Sequence, residues 1–177
     1  MEKDVRKALD DIDSVNPFAT YLSDSTLSRV GGWIDTGSYV LNAIISGSIH
    51  GGIPKGRVTM LAGESMTGKS LFVMKILASA QKEGLIPVIF DTENAIDPEG
   101  AERLGLDVEN VKYVPCISIE QTRNALYKFL TSVKEKGLEG KFIVAIDSLG
   151  NLQSELSLAR MGKDSTSTDM GTNARAM

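Results

Sequence analysis

Residues Gly63, Glu64, Ser65, Met66, Thr67, Gly68, Lys69 and Ser70 read GESMTGKS, a loop bounded by glycines and closed by a lysine and a hydroxyl. The stretch satisfies G-x-x-x-x-G-K-[ST] in full, and that pattern has a mechanical meaning. Its glycines let the backbone curl so that successive N–H groups face one phosphate, and a helix opening at the loop adds partial positive charge. Lys69 can reach the β- and γ-phosphates of a nucleotide, and the Ser70 hydroxyl can ligate Mg2+, with Leu71 the last residue assigned to this site. Two acidic positions lie downstream. Asp147 ends the apolar run KFIVAID, where a carboxylate can hold Mg2+ through water, or merely cap a turn before Ser148. The stretch Asp91-Thr-Glu93-Asn-Ala-Ile-Asp97 follows another apolar run. There a carboxylate near the terminal phosphate can orient and deprotonate a water. Glu93 is the candidate base, with Asp91 and Asp97 as rivals and a solvated acidic loop as the competing account.

The elements that must carry these groups are legible around them. RVTMLAG reads as a short strand ending in Gly63, and KSLFVMKILASAQKEG as a helix closed by Gly84. IPVIFD reads as a second strand. Asp97-Pro98 then opens a short helix that stops at Gly105, with Asp97 as N-cap. VKYVP is a third strand, Ser118-Ile-Glu-Gln121 a capping signature before an amphipathic helix, and KFIVAID, with five consecutive apolar residues, a fourth strand expected to be buried on both faces. Strands alternating with helices predict an α/β fold with a parallel sheet. Upstream, Glu2 to Asp13 reads as a helix with Val5, Leu9 and Ile12 on one side, and Gly31-Gly32 as a hinge into the main domain.

The bulk properties exclude more than they identify. The 177 residues suffice for one core, and no apolar run approaches a membrane span of about 20 residues. A single cysteine, Cys116, rules out an internal disulfide and suits a reducing cytosol. Net charge of −4 argues against a wholly basic nucleic-acid coat while leaving room for a local basic loop.

Seven stretches, DTGSYVLN, GGIPKGR, GESMTGKS, FDTENAIDP, LGLDVENV, IDSLGNL and DMGTNARAM, resemble the RecA recombinases in composition, order and spacing. In places they lean towards the phage branch of the UvsX type. The resemblance implies a RecA-like P-loop NTPase core over residues 33–177, incomplete at the C-terminus and preceded by a small helical arm, residues 1–32, that docks on the next protomer. Phe18 and Tyr21, or Leu27 and Val30, would be the anchors of that arm. It implies ATP and Mg2+ at Gly63, Gly68, Lys69 and Ser70, water activation by Glu93, a Walker B role for Asp147, and Asp97 beside the adenine. Residues 154–171 correspond to the first DNA-binding loop, with charge from Arg160 and Lys163 and with Met170 and Gly171 at its end; Arg175 opens the helix after it.

The implied function is an ATP-dependent recombinase in the cytoplasm of a bacterial cell or phage-infected host. It would self-associate into a filament on single-stranded DNA and exchange strands with homologous duplex DNA. A hexameric helicase motor and a non-catalytic ATP-binding fragment that caps a filament are the alternatives.

Two departures from the family pattern stand out. Gly100 occupies the position where bacterial recombinases place an aromatic residue that stacks on adenine. The strand that in the family separates the Walker A and Walker B strands is absent. RVTMLAG and KFIVAID are therefore expected not to pair, leaving open edges, and the chain is expected to need a complementing C-terminal part for strand exchange.

Overall fold

The computed structural model describes residues 2–16, 18–25 and 29–155. The chain divides into two compact units, Met1–Gly32 and Trp33–Met177. In the first, helix α1 (Glu2–Val15) runs two residues beyond its predicted end. Val5, Leu9 and Ile12 line one side of it and are all exposed. Asn16 stops the helix: its side-chain oxygen accepts from the Phe18 N–H at 3.0 Å, the local bond through which Asn favours turns.

The second unit opens with β1 (Trp33–Ile34), α2 (Tyr39–Ser46) and β2 (Ile53–Pro54), with β1 and β2 paired antiparallel. A buried polar knot holds this corner. Asn42, 1% exposed, accepts from the Thr36 N–H at 3.0 Å and its hydroxyl at 2.7 Å, and donates to Asp35 at 2.7 Å and the Ile49 carbonyl at 3.0 Å. Every hydrogen-bonding site of the amide is used, as burial demands. The bond from Asn42, followed by the Gly37 N–H, holds the Asp35 carboxyl below its ordinary range.

The main sheet is parallel and three-stranded, in the order β4 (Lys112–Pro115), β3 (Ile86–Asp91), β5 (Phe142–Asp147). Side chains alternate along β3 and β5 with the period of two that a pleated strand imposes. Ile89, Ile143 and Ala145 meet α3 (Lys69–Lys82) and α4 (Pro98–Arg103) through Met74, Leu77 and Ala101. On the other face Val88, Phe90, Val144 and Ile146 meet α5 (Ile119–Glu135), where Phe129 stands edge-on to Phe142 at 5.1 Å. Each large apolar side chain buried this way contributes about 1.5–3 kcal/mol. Helix α3 ends before Gly84, whose φ of +82° suits glycine. Near its end, Gln81 donates to the Asp107 carbonyl and accepts from its N–H, both at 2.9 Å.

Two expectations are corrected. The stretch Arg57–Ala62 forms no strand; Val58 is 100% and Met60 78% exposed. A strand exists through the ladder its neighbour supplies, and no described segment supplies one: β5 pairs with β3 alone. For the same reason β5, though covered on both faces, is only half-buried at every position, because its outer edge carries no ladder among the described residues. Cys116 is a free, buried thiol. Among the described residues no helix is long and apolar enough to cross a membrane.

Two tests follow from the corner around Asn42. A Cβ on Gly52, whose φ is +140°, would stand 1.9 Å from the Ile34 carbonyl oxygen, whereas one on Gly84 would meet nothing within 4 Å. In denaturant unfolding, Gly52→Ala is expected to cost about 3 kcal/mol or more and Gly84→Ala about 1 kcal/mol. The depressed Asp35 carboxyl stabilises the fold above its unfolded pKa, about 3.9, and that contribution is lost as pH falls through the folded value. Asp35→Asn should therefore flatten the stability–pH curve below about pH 4.

Candidate nucleotide site

Helix α3 begins at a glycine in the left-handed region: Gly68, φ +89°, is its N-cap and offers no capping side chain. The first N–H groups of the helix, which have no intrahelical acceptor, therefore face the loop without a side-chain partner. Within the loop, Met66 adopts φ +65° and is fully exposed. The Thr67 hydroxyl donates to the Glu64 carbonyl at 2.8 Å. The Lys69 ammonium donates to the carbonyls of Gly63 at 3.0 Å and Glu64 at 2.7 Å, so its charge lies inside the curl of the loop.

Opposite stand the C-terminal ends of the strands, where open parallel sheets bind ligands. Asp91 and Asp147 are direct partners in the β3–β5 register. Asp91 is 1% exposed and surrounded by donors. One oxygen accepts from the N–H groups of Glu93 at 2.9 Å and Asn94 at 2.8 Å. The other accepts from the Tyr113 hydroxyl at 3.0 Å and the Ile96 N–H at 3.4 Å. Desolvation, with the bond to Asp91 second, holds the Tyr113 phenol above its ordinary value.

Asp97 behaves as predicted for a cap, accepting from Glu99 N–H at 3.2 Å and Gly100 N–H at 3.0 Å. A Cβ at Gly100 would stand 2.9 Å from the end of the Asp97 side chain, which would have to shift slightly. Glu93 is exposed and accepts from the Ser148 hydroxyl at 3.0 Å. Asp91 and Asp97 are thus occupied in shaping backbone, while Glu93 bonds to a side chain beside Asp147. The peptide between Asp147 and Ser148 is cis.

One cleft of about 210 Å3 brings together Ser70 and Leu71 of α3 with Asp91, Glu93, Asp97 and Asp147, whereas Lys69 and the loop residues 63–68 do not line it. Met74, Ile96, Ala101 and Leu104 form its apolar wall beside Gly100. Among the described residues no group of three or more His, Cys, Asp or Glu is arranged around a metal. The candidate DNA-binding residues Arg160, Lys163, Met170, Gly171 and Arg175 lie outside the described residues, as does Leu27 of the arm.

Residues 4–177 match the family model described as the RecA N-terminal domain. The chain belongs to the RecA family. It is 35% identical over 130 residues to the protein RecA of Aquifex aeolicus (strain VF5), covering 73% of this chain and 37% of that protein. It is 30% identical over 184 residues to the protein RecA of Rubrobacter xylanophilus, covering 100% of this chain and 49% of that protein. Against the protein RecA of Helicobacter pylori (strain Shi470) the identity is 30% over 156 residues, 88% of this chain and 41% of that protein. The chain thus spans less than half the length of these RecA relatives.

Residue type alone did not single out Tyr113, Thr92 or Ser148, because their partners are set by strand register rather than by spacing in sequence. The one signal in the sequence was position: Thr92 and Ser148 each follow the aspartate that ends a parallel strand. Asp91→Ala would leave the 93, 94 and 96 amides and the Tyr113 hydroxyl without their acceptor. It is expected to cost about 3 kcal/mol and to accelerate hydrogen exchange at Glu93 and Asn94, whereas Tyr113→Phe should cost about 1 kcal/mol.

Proposed function

We propose that this RecA-family chain binds ATP with Mg2+ and carries the hydrolytic part of a DNA recombination protein. In that protein, subunits assemble as a filament on single-stranded DNA and exchange strands with homologous duplex DNA. The observation that supports it most is the shared cleft, in which Ser70 and Leu71 from the phosphate-loop helix face Glu93, Asp97 and Asp147 from the ends of the strands. Residues Gly63 to Leu71 would hold the phosphates, drawing on the uncapped start of α3 and on the Lys69 ammonium already lodged in the loop. Ser70 and, through water, Asp147 would hold Mg2+, which neutralises charge developing on the phosphates. Glu93 would take the proton of the attacking water. The apolar wall suits a base that Gly100 does not stack.

ATP would sit between protomers, the arm of residues 1–32 being the proposed link between them. DNA contact is assigned to residues 154–171 and Arg175, and the protein to the bacterial cytoplasm. A second reading, an ATP-binding fragment docked on a complete filament, draws on the edge of β5 that carries no ladder among the described residues and on the exposure of Val58 and Met60. Both features suit a sheet that takes up a further strand.

The deciding experiment measures ATP hydrolysis with Mg2+ by this chain, with and without single-stranded DNA and with and without a polypeptide supplying the rest of a RecA-length protein. DNA-stimulated hydrolysis, falling about 100-fold or more in Glu93→Gln and in Lys69→Ala, is the expected result. ATP binding without stimulation in any combination, the pieces having been shown to associate, would leave the docked fragment.

A further inference from the structure

We infer that Thr92 and Ser148 are positioning residues that lock Glu93 to the strand end carrying Asp147, an assignment that rests on the hydrolytic reading above. The contacts cross in both directions. The Thr92 N–H donates to the Asp147 carbonyl at 2.9 Å, and the Thr92 hydroxyl donates to the Ser148 carbonyl at 2.7 Å while accepting from the Ser148 N–H at 3.0 Å. In return the Ser148 hydroxyl donates to a Glu93 carboxylate oxygen at 3.0 Å. The residue before Glu93 therefore grips the backbone after Asp147, and the residue after Asp147 grips the Glu93 side chain.

The arrangement has a chemical reason. A glutamate has three rotatable side-chain bonds, and Glu93 is exposed, so packing alone does not fix its carboxylate. One hydroxyl donor on a rigid strand end removes much of that freedom. A Thr92 hydroxyl that both donates and accepts keeps the donor itself from moving relative to β3. Water activation is sensitive to such placement, since a displacement of about 1 Å can cost about 100-fold in rate. Asp91 works from the other side of the loop through the Glu93 and Asn94 amides. It sets the backbone, and the pair Thr92–Ser148 sets the carboxylate.

The test compares Ser148→Ala, Ser148→Thr, Thr92→Val and Thr92→Ser with the unmodified chain and Glu93→Gln, in the hydrolysis assay above. Binding of a fluorescent ATP analogue and thermal unfolding are followed in parallel. Ser148→Ala and Thr92→Val are expected to lower kcat about 10–100-fold with KM and analogue binding within about twofold of the unmodified chain. The hydroxyl-retaining Ser148→Thr and Thr92→Ser should recover most of the rate. If Glu93→Gln abolishes hydrolysis while Ser148→Ala and Thr92→Val keep full kcat, the positioning role is overturned and the hydrolytic reading stands. Losses that follow lowered melting temperature or weakened analogue binding, with no recovery by the hydroxyl-retaining variants, overturn it as well. If hydrolysis is indifferent to Glu93→Gln, the underlying reading fails and this inference fails with it.

Discussion

A carboxylate can leave water only if donors replace the water it gives up, and Asp91 meets that demand from its own chain. It closes the central strand at 1% exposure, and the amides of Glu93, Asn94 and Ile96 turn back to reach it. The course of residues 92–96 is in effect the solvation shell of one buried charge. Asn94 takes a φ of +52° in that turn, a conformation Asn tolerates better than most side chains. Tyr113 from the neighbouring strand completes the shell, so the loop is held to β4 as well as to β3.

That constraint divides the work among acidic residues only a few positions apart. Asp91 shapes the loop, Asp97 starts a helix, and Glu93 stands at the surface beside the end of β5. Identical chemistry thus acquires different uses from burial and from which donors are near. The parallel register then sets Asp147 alongside Asp91, so the cleft inherits its geometry from the same pair of strands.

What could be read from the sequence follows how local each interaction is. The limits of β3 coincide with IPVIFD, and α4 and α5 begin where Asp97-Pro98 and Ser118 announce them. A cap bonds to an amide two or three residues away, and a fully apolar run has few other uses. Even there a detail differed: Gln121 reaches back to the Ile117 N–H rather than to that of Ser118. RVTMLAG has equal strand character but no pairing strand among the described residues, and propensity without a ladder does not make a strand. The knot around Asn42 left no trace of periodicity, because the partners of this one helical side chain, Asp35, Thr36 and Ile49, lie in the loops on either side of α2 and its energy lies in satisfied donors and acceptors. For the candidate site, spacing located the phosphate loop. Spacing also put Glu93 ahead of Asp91 and Asp97 as the candidate base; what it could not show is that the two aspartates accept from backbone N–H groups.

The paired bonds between Gln81 and Asp107 act as a clasp. A side-chain amide that both donates to and accepts from one residue fixes orientation as well as distance. The two residues are 26 positions apart, and the chain between them carries β3, the acidic loop with Glu93 and α4. That whole stretch is therefore a ring fastened at its neck, whose two ends separate only if both bonds break.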